Sequence, residues 1–264
     1  RKIGLDPKVP WFAGAGDGAC SSIGSGCLAP HRISCMVGTS AAMRRVVPRD
    51  DRRKVPQGLW CYVLDERHYL LGGAINNAGI LRSWLMGILN LPPAGDLERM
   101  LLEKERNDSG LVVLPFITGE RCPGWRSDAR GVIEGLSLST SPIDLYRAAL
   151  ESVGYRLKEI LVRLRAAPAR GEEIVVNGGI LKSRAWLGML ANIFGRPLRL
   201  SPVRDASALG AALIAMKAAG ITDSLDATRL GSRAEETVGF SPGLRAVYKK
   251  EFERHRTAYN RHFG

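Results

Sequence analysis

What the sequence lacks narrows the field before any motif is read. It has no CxxC pair, and its five cysteines (20, 27, 35, 61 and 122) are an odd number. That pattern argues against a disulfide framework or a zinc site and predicts reduced thiols in a cytosolic protein. The four histidines, at 31, 68, 255 and 262, do not cluster. His255 and His262 share a helical face without a carboxylate or thiolate partner in the pattern, so both are read as surface residues rather than metal ligands. No apolar run approaches the ~20 residues that cross a bilayer, and the longest clear one is 111–117. There is no GxxxxGK[ST] loop, which excludes a P-loop enzyme. The GxSxG elbow of serine hydrolases is also missing. Acidic residues are scarce near the start: after Asp17 none occurs until Asp50.

Basic residues, by contrast, are in excess. Lys and Arg number 38 against 26 Asp and Glu, for a net charge of +12. Such a balance favours anionic partners. Yet the densest stretches, Arg44-Arg45 and Arg52-Arg53-Lys54, are not interleaved with aromatics as a nucleic-acid platform would be. The charge is read as a dispersed, solvated face, which argues against nucleic acid as a partner. With 264 residues, 45% hydrophobic and 24% charged, the chain can bury a full core. No signal-peptide pattern is visible. The chain begins with Arg1 rather than Met, so an upstream segment is expected.

The isolated carboxylate sits in a collar of small residues, Gly14-Ala15-Gly16-Asp17-Gly18. With Ala19 the collar fits a GxGxxA dinucleotide pattern, but the acidic residue that a Rossmann fold places about 20 positions on is missing. Two readings remain beside that one: a glycine turn needed only for packing, and a substrate site with Asp17 as a base. Pairing of Asp17 with Glu120, as in glycosidases, has no support from spacing.

Apolar periodicity predicts strands at 9–13, 33–37, 43–47, 112–116, 132–136, 174–176 and 197–200. A hairpin is expected from 60–64 and 69–71, with Asp65-Glu66-Arg67 at its turn. Helices are expected at 17–27, 77–89, 183–194, 206–219 and 243–263. Another, capped by Asp96, would run through Arg106 and end at Asn107-Asp108-Ser109-Gly110. A long helix begins at Pro142, capped by Ser141, and runs to about Leu164. Hairpins come early and strand–helix units late, which predicts a mixed α/β layout around one sheet. Glycine corners punctuate it: Gly38-Thr39-Ser40 after a strand, Gly72-Gly73 and Gly79 flanking a helix start, and Asn177-Gly178-Gly179 between strand and helix. Each can present amides to an anion, and each alone is as readily an ordinary turn.

Together these residues resemble the C-terminal half of the FGGY family of carbohydrate kinases. The strongest match is Gly131-Val132-Ile133-Glu134-Gly135-Leu136, then seven residues, then Asp144-Leu145-Tyr146-Arg147-Ala148-Ala149-Leu150-Glu151. The collar from Ala13 to Cys20 is similar to the segment bearing the family's catalytic aspartate, and the stretch from Gly14 to Cys27 looks most like gluconokinase-type members. The resemblance implies an α/β, actin-like ATPase (ribonuclease-H-like) domain, a mixed sheet flanked by helices. Residues 1–264 would be the C-terminal nucleotide-binding domain of a two-domain kinase whose N-terminal domain is absent from this chain. It implies ATP and Mg²⁺, and a sugar or sugar-acid acceptor, gluconate first and then xylulose or a related ketose. Asp17 would be general base and substrate contact. Gly38, Thr39, Gly79, Arg82, Gly178, Gly179 and Ser183 would border the nucleotide. The chain departs from relatives that carry Gln-x-x-x-Asp where Gly188 and Asn192 stand. A non-catalytic actin-like module that binds nucleotide is the alternative, and a homodimer is compatible with the sequence.

Overall fold

A computed structural model describes residues 8–50, 54–104, 108–165, 171–227 and 236–264. In these, β1 (Arg32–Val37), β2 (Ala41–Pro48), β3 (Trp60–Val63), β4 (His68–Ile75), β7 (Glu173–Asn177), β8 (Leu198–Leu200) and β9 (Glu236–Val238) form one mixed sheet. Its order is β3-β4-β2-β1-β7-β8-β9. The β1–β7 and β7–β8 pairs are parallel and the others antiparallel. A separate two-stranded ladder joins β5 (Val112–Leu114) to β6 (Val132–Glu134).

Alternation along β1 sorts its side chains between two layers. Ile33, Cys35 and Val37 enter the main core. That core is completed by α2 (Gly79–Ile88), α3 (Ala94–Glu103), α4 (Pro142–Leu164), α5 (Arg184–Phe194) and part of α7 (Arg245–Phe263). The opposite face carries α1 (Asp17–Gly24) and α6 (Ala206–Ala218), whose Ile23 and Leu213 form a small cluster with Leu225 and Ala227. Among the described residues no helix is long and apolar enough to cross a membrane.

The long helix α4 runs through the core and carries charge with it. Arg147 Nε donates to Glu151 Oε1 at 3.0 Å, both side chains being almost wholly buried. The same oxygen accepts from the Tyr248 hydroxyl of α7 at 3.0 Å, and Arg147 also donates to the Leu101 carbonyl of α3 at 3.0 Å. A second buried pair, Arg156 with Glu120, is completed by the Tyr259 hydroxyl, which donates to Glu120 at 2.7 Å. Glu120 is therefore engaged in holding α4 to α7 and is no partner for Asp17.

Several expectations are corrected. Residues 9–13 are not a strand: the segment is exposed, Trp11 at 77%, and pairs with no strand of the sheet. Gly72 and Gly73 lie inside β4, because the hairpin strand continues to Ile75 along β2. Pro93, not Asp96, precedes α3, and Asp96 sits in its first turn, where a carboxylate suits the helix dipole. Arg106 and Asn107, like Arg52 and Arg53, lie outside the described residues. His255 is buried at 1% exposure, and burial pushes its pKa well below the ordinary value. His262 is exposed, as expected, but does have a carboxylate partner, Glu134, at 2.9 Å. Arg44 and Arg45 are not a solvated face but are buried on β2. The edge strand β9, only three residues long, has no apolar run that would mark it in the sequence.

Two consequences for stability follow from helix ends and helix crossings. Ser141 and Asp144 form a capping box at the start of α4. Burial alone would raise the Asp144 carboxyl, but hydrogen bonds from Lys104 and Ser141 outweigh it and hold it down at about 2. A carboxyl lowered in the folded state stabilises above its unfolded value of about 3.9, and that contribution disappears as pH falls through the folded value. Asp144→Ala should lower stability at neutral pH and weaken the acid dependence between about pH 4 and pH 2. Ser141→Ala should cost about 1 kcal/mol. Urea unfolding across pH measures both. On the other face, α1 and α6 touch through their backbones: a Cβ on Gly210 would stand 1.9 Å from the Cys20 carbonyl oxygen. Gly210→Ala should therefore destabilise by about 1–3 kcal/mol, overriding the helix-propensity gain. Gly188→Ala in α5, where the new methyl would meet nothing within 4 Å beyond its own helix backbone and chain neighbours, should instead stabilise by about 0.5–1 kcal/mol, read by the same urea unfolding.

Candidate active site

Three loops separated widely in sequence meet at one end of β1. The strand ends at Val37 and turns into β2 through Gly38, Thr39 and Ser40, closed by a bond from the Gly38 N–H to the Ser40 carbonyl at 2.8 Å. The first helical residue of α2 docks on this turn. The Gly79 N–H donates to the Gly38 carbonyl at 2.8 Å, and the Ile80 N–H to the Thr39 carbonyl at 3.0 Å. A Cβ on Gly79 would approach the Gly38 oxygen to 2.5 Å, so a side chain would separate the two loops. From the other side comes β7, in parallel register with β1, Met36 opposite Asn177. Gly178 follows with φ of +93°, and its Cβ would lie 2.6 Å from the Val37 oxygen. Only glycine meets both demands there. Thr39, Gly178 and Gly179 are exposed at this junction.

Asp17 opens α1, and its position is set by the close crossing of α1 on α6. It is exposed, its Oδ1 accepts from the Gly18 N–H at 2.6 Å, and its carbonyl accepts from Ser207 Oγ at 3.5 Å. A cavity of about 160 Å³ brings it together with Gly178; Asn177, Asp205, Ser207 and Met36 share the walls. Gly38, Thr39 and Gly79 do not line that cavity; their turn is tied to it by the approach of Gly178 to the Val37 carbonyl. Two other expected contacts, Arg82 and Ser183, do not line the cavity and have partners of their own. The charge of Arg82, half-buried on α2, acts on the buried Tyr146 hydroxyl. Ser183 caps α5, accepting from the Trp186 N–H at 3.2 Å, and donates to Glu98 Oε2 at 2.8 Å. Of the departures from the family pattern, Gly188 leaves open space, and Asn192 Oδ1 accepts from the Ser241 N–H at 2.7 Å.

Asn177 and Asp205 lie in stretches that the sequence pattern marks, but neither is among the expected site residues. Asn177 is buried, lines the cavity, and its side-chain nitrogen has no partner. An orphaned buried amide is costly unless something bonds to it, so the donor and the adjacent Gly178 cradle fit a polar ligand. Asp205 caps α6, accepting from the Ala208 N–H at 3.0 Å, and faces the same cavity. The signals available were an Asn at a strand end before two glycines, and an Asp one position ahead of a small-residue helix.

Comparison with known proteins agrees with this arrangement. The chain is 30% identical over 240 residues to a gluconokinase of Bacillus subtilis (strain 168), covering 86% of this chain and 46% of that one. It superimposes on the ligand-bound xylulose kinase of Lactobacillus acidophilus with a TM-score of 0.87 at 29% identity, covering 97% of this chain and 52% of that one. For the gluconate kinase of the same organism the TM-score is 0.84 at 30% identity, with the same coverages. The chain thus spans about half the length of the relatives it matches. The model of the C-terminal domain of FGGY carbohydrate kinases matches residues 33–219. The chain therefore belongs to the FGGY family of carbohydrate kinases, and its helix-flanked mixed sheet is that family's actin-like ATPase fold.

Proposed function

We propose that this chain supplies the nucleotide-binding half of a kinase that transfers the γ-phosphoryl group of ATP to a hydroxyl of a sugar or sugar acid, gluconate before xylulose or a related ketose. The observation that carries the reading is the meeting of Asp17 and Gly178 in one cavity beside the Gly38-Thr39 turn. The gluconokinase relative and the gluconate and xylulose kinase neighbours support the choice of acceptor. The other wall of the cleft would come from a first domain in the full-length protein, as the half-length match to relatives suggests.

In this reading the acceptor hydroxyl attacks the γ-phosphorus as its proton passes to the Asp17 carboxylate, and ADP leaves. Thr39 and the amides of its turn would hold phosphate oxygens, and Gly178 and Gly179 would lie against the adenosine, where a side chain would intrude. Asn177 would add its unpartnered amide to the polar part of the nucleotide. Arg82 and Ser183 would border the nucleotide while serving Tyr146 and Glu98. Mg²⁺, carried on the phosphates, would supply charge neutralisation. Among the described residues no group of three or more His, Cys, Asp or Glu stands ready to hold a metal by itself. Most of the acceleration in phosphoryl transfer comes from such positioning and charge stabilisation.

A general base contributes about 10²- to 10⁴-fold. Asp17→Asn in the full-length protein should lower kcat for sugar phosphorylation by that factor, while ATP affinity measured by calorimetry stays within about threefold. Full turnover by the variant would remove Asp17 from the role. Nucleotide binding without turnover by the wild type on any polyol, ketose or sugar acid would favour the non-catalytic module instead.

A further inference from the structure

Arg44 on β2 is 8% exposed, and its Nη1 has no hydrogen-bond partner. No carboxylate among the described residues forms an ion pair with it. An arginine does not shed its proton to escape burial, so an unpaired buried guanidinium is an expensive feature for a fold to keep. Its neighbours add to the imbalance. Trp60 Nε1 and Ser34 Oγ are also buried without partners. The sheet register explains why they gather: Ser34 stands opposite Arg44, Arg44 opposite Gly72, and Gly72 opposite Trp60. These side chains form one row across four strands, on the face that carries α1 and α6.

The row passes directly beneath the glycine collar. A Cβ on Gly18 would stand 2.8 Å from Cζ, Nε and Nη2 of Arg44. Gly72 leaves room for the row, since its own Cβ would come within 2.8 Å of the Trp60 ring and 3.1 Å of the Arg44 stem. The Trp60 ring centroid is 6.0 Å from Arg44 Cζ. Burial lowers the Arg44 pKa, and among nearby charges Asp17 opposes that most while Arg121 reinforces it. Asp17 is thus an electrostatic neighbour of Arg44 without being its hydrogen-bond partner. A cluster of unpartnered donors beside the proposed base calls for an anionic acceptor of hydrogen bonds.

We propose that Arg44 is a specificity-determining residue, and that its guanidinium receives the carboxylate of a sugar acid whose hydroxyl lies at Asp17. This rests on the kinase reading above and deepens it by naming the acceptor class. A phosphate is the poorer occupant. The turn at Gly38-Thr39 belongs to the nucleotide tail, and Arg44 lies three strand residues past Ala41, roughly 10 Å along β2. The planar fork of arginine matches a carboxylate with two parallel hydrogen bonds.

The test compares gluconate with xylulose as acceptors for the full-length wild type, Arg44→Gln and Arg44→Lys, with melting temperatures alongside. The wild type should prefer gluconate. Arg44→Gln should lose at least about tenfold more kcat/KM on gluconate than on xylulose, chiefly through KM, and Arg44→Lys should fall between. Because an unpaired buried charge is removed, the melting temperature of Arg44→Gln should not drop. An equal loss on both acceptors, or an unchanged gluconate KM, would overturn the role of Arg44 and leave the kinase reading standing. A wild type that phosphorylates only the neutral sugar would overturn the acid assignment alone. A wild type that phosphorylates neither, nor any other polyol, ketose or sugar acid, would remove the kinase reading and this inference with it.

Discussion

The backbone junction at the end of β1 is the constraint on which the rest depends. Two loops press against Val37 and Gly38 at distances that leave no room for a β-carbon. One brings the start of α2, the other the corner after β7. Neither contact is a side-chain interaction, so neither can be exchanged for another by repacking. The parallel register of β1 with β7 fixes where Gly178 falls, and the hairpin of β1 with β2 fixes where Thr39 falls. A surface of exposed backbone thus forms at the strand ends, where open α/β sheets commonly place their ligands.

A different set of residues keeps that junction rigid. The motif that identifies the family most sharply, from Asp144 to Glu151, makes no contact with the cavity. Asp144 closes a capping box and binds Lys104, while Arg147 and Glu151 tie α4 to α3 and α7 within the core. Removing either member of a buried pair strands the other charge, which is far costlier than losing a surface pair. Diagnostic sequence and chemical function are therefore separate here. The scaffold carries the recognisable pattern, and the site is mostly glycine, two aspartates and an asparagine.

Much of the fold could be read from residue order because its elements have strong local causes. Pro142 after Ser141 marks the start of α4, and small residues from Ala206 onward mark a helix able to touch another at its backbone. The misreadings share a physical origin in partners that only the fold supplies. Residues 9–13 have strand-like composition but no neighbouring strand to pair with. Gly72 and Gly73 look like a turn, yet the row of Arg44 and Trp60 needs a strand without side chains there. His255 and the Arg44-Arg45 pair read as surface residues from local pattern, and each is enclosed by long-range packing. Within the site, the glycine corners and Asp17 were legible singly. That Asp17 and Gly178 share one cavity, with Asn177 unpartnered in its wall, could be known only from the folded chain.

The central claim is that these corners grip a nucleotide's phosphates beside Asp17 as proton acceptor. A crystal structure of the full-length protein with a non-hydrolysable ATP analogue, Mg²⁺ and gluconate tests it most directly. The account predicts terminal phosphate oxygens on the Gly38-Thr39 turn, adenosine against Gly178 and Gly179, and an acceptor hydroxyl within hydrogen-bonding distance of the Asp17 carboxylate. A nucleotide bound away from the end of β1, or an Asp17 carboxylate that touches no acceptor hydroxyl, would contradict it.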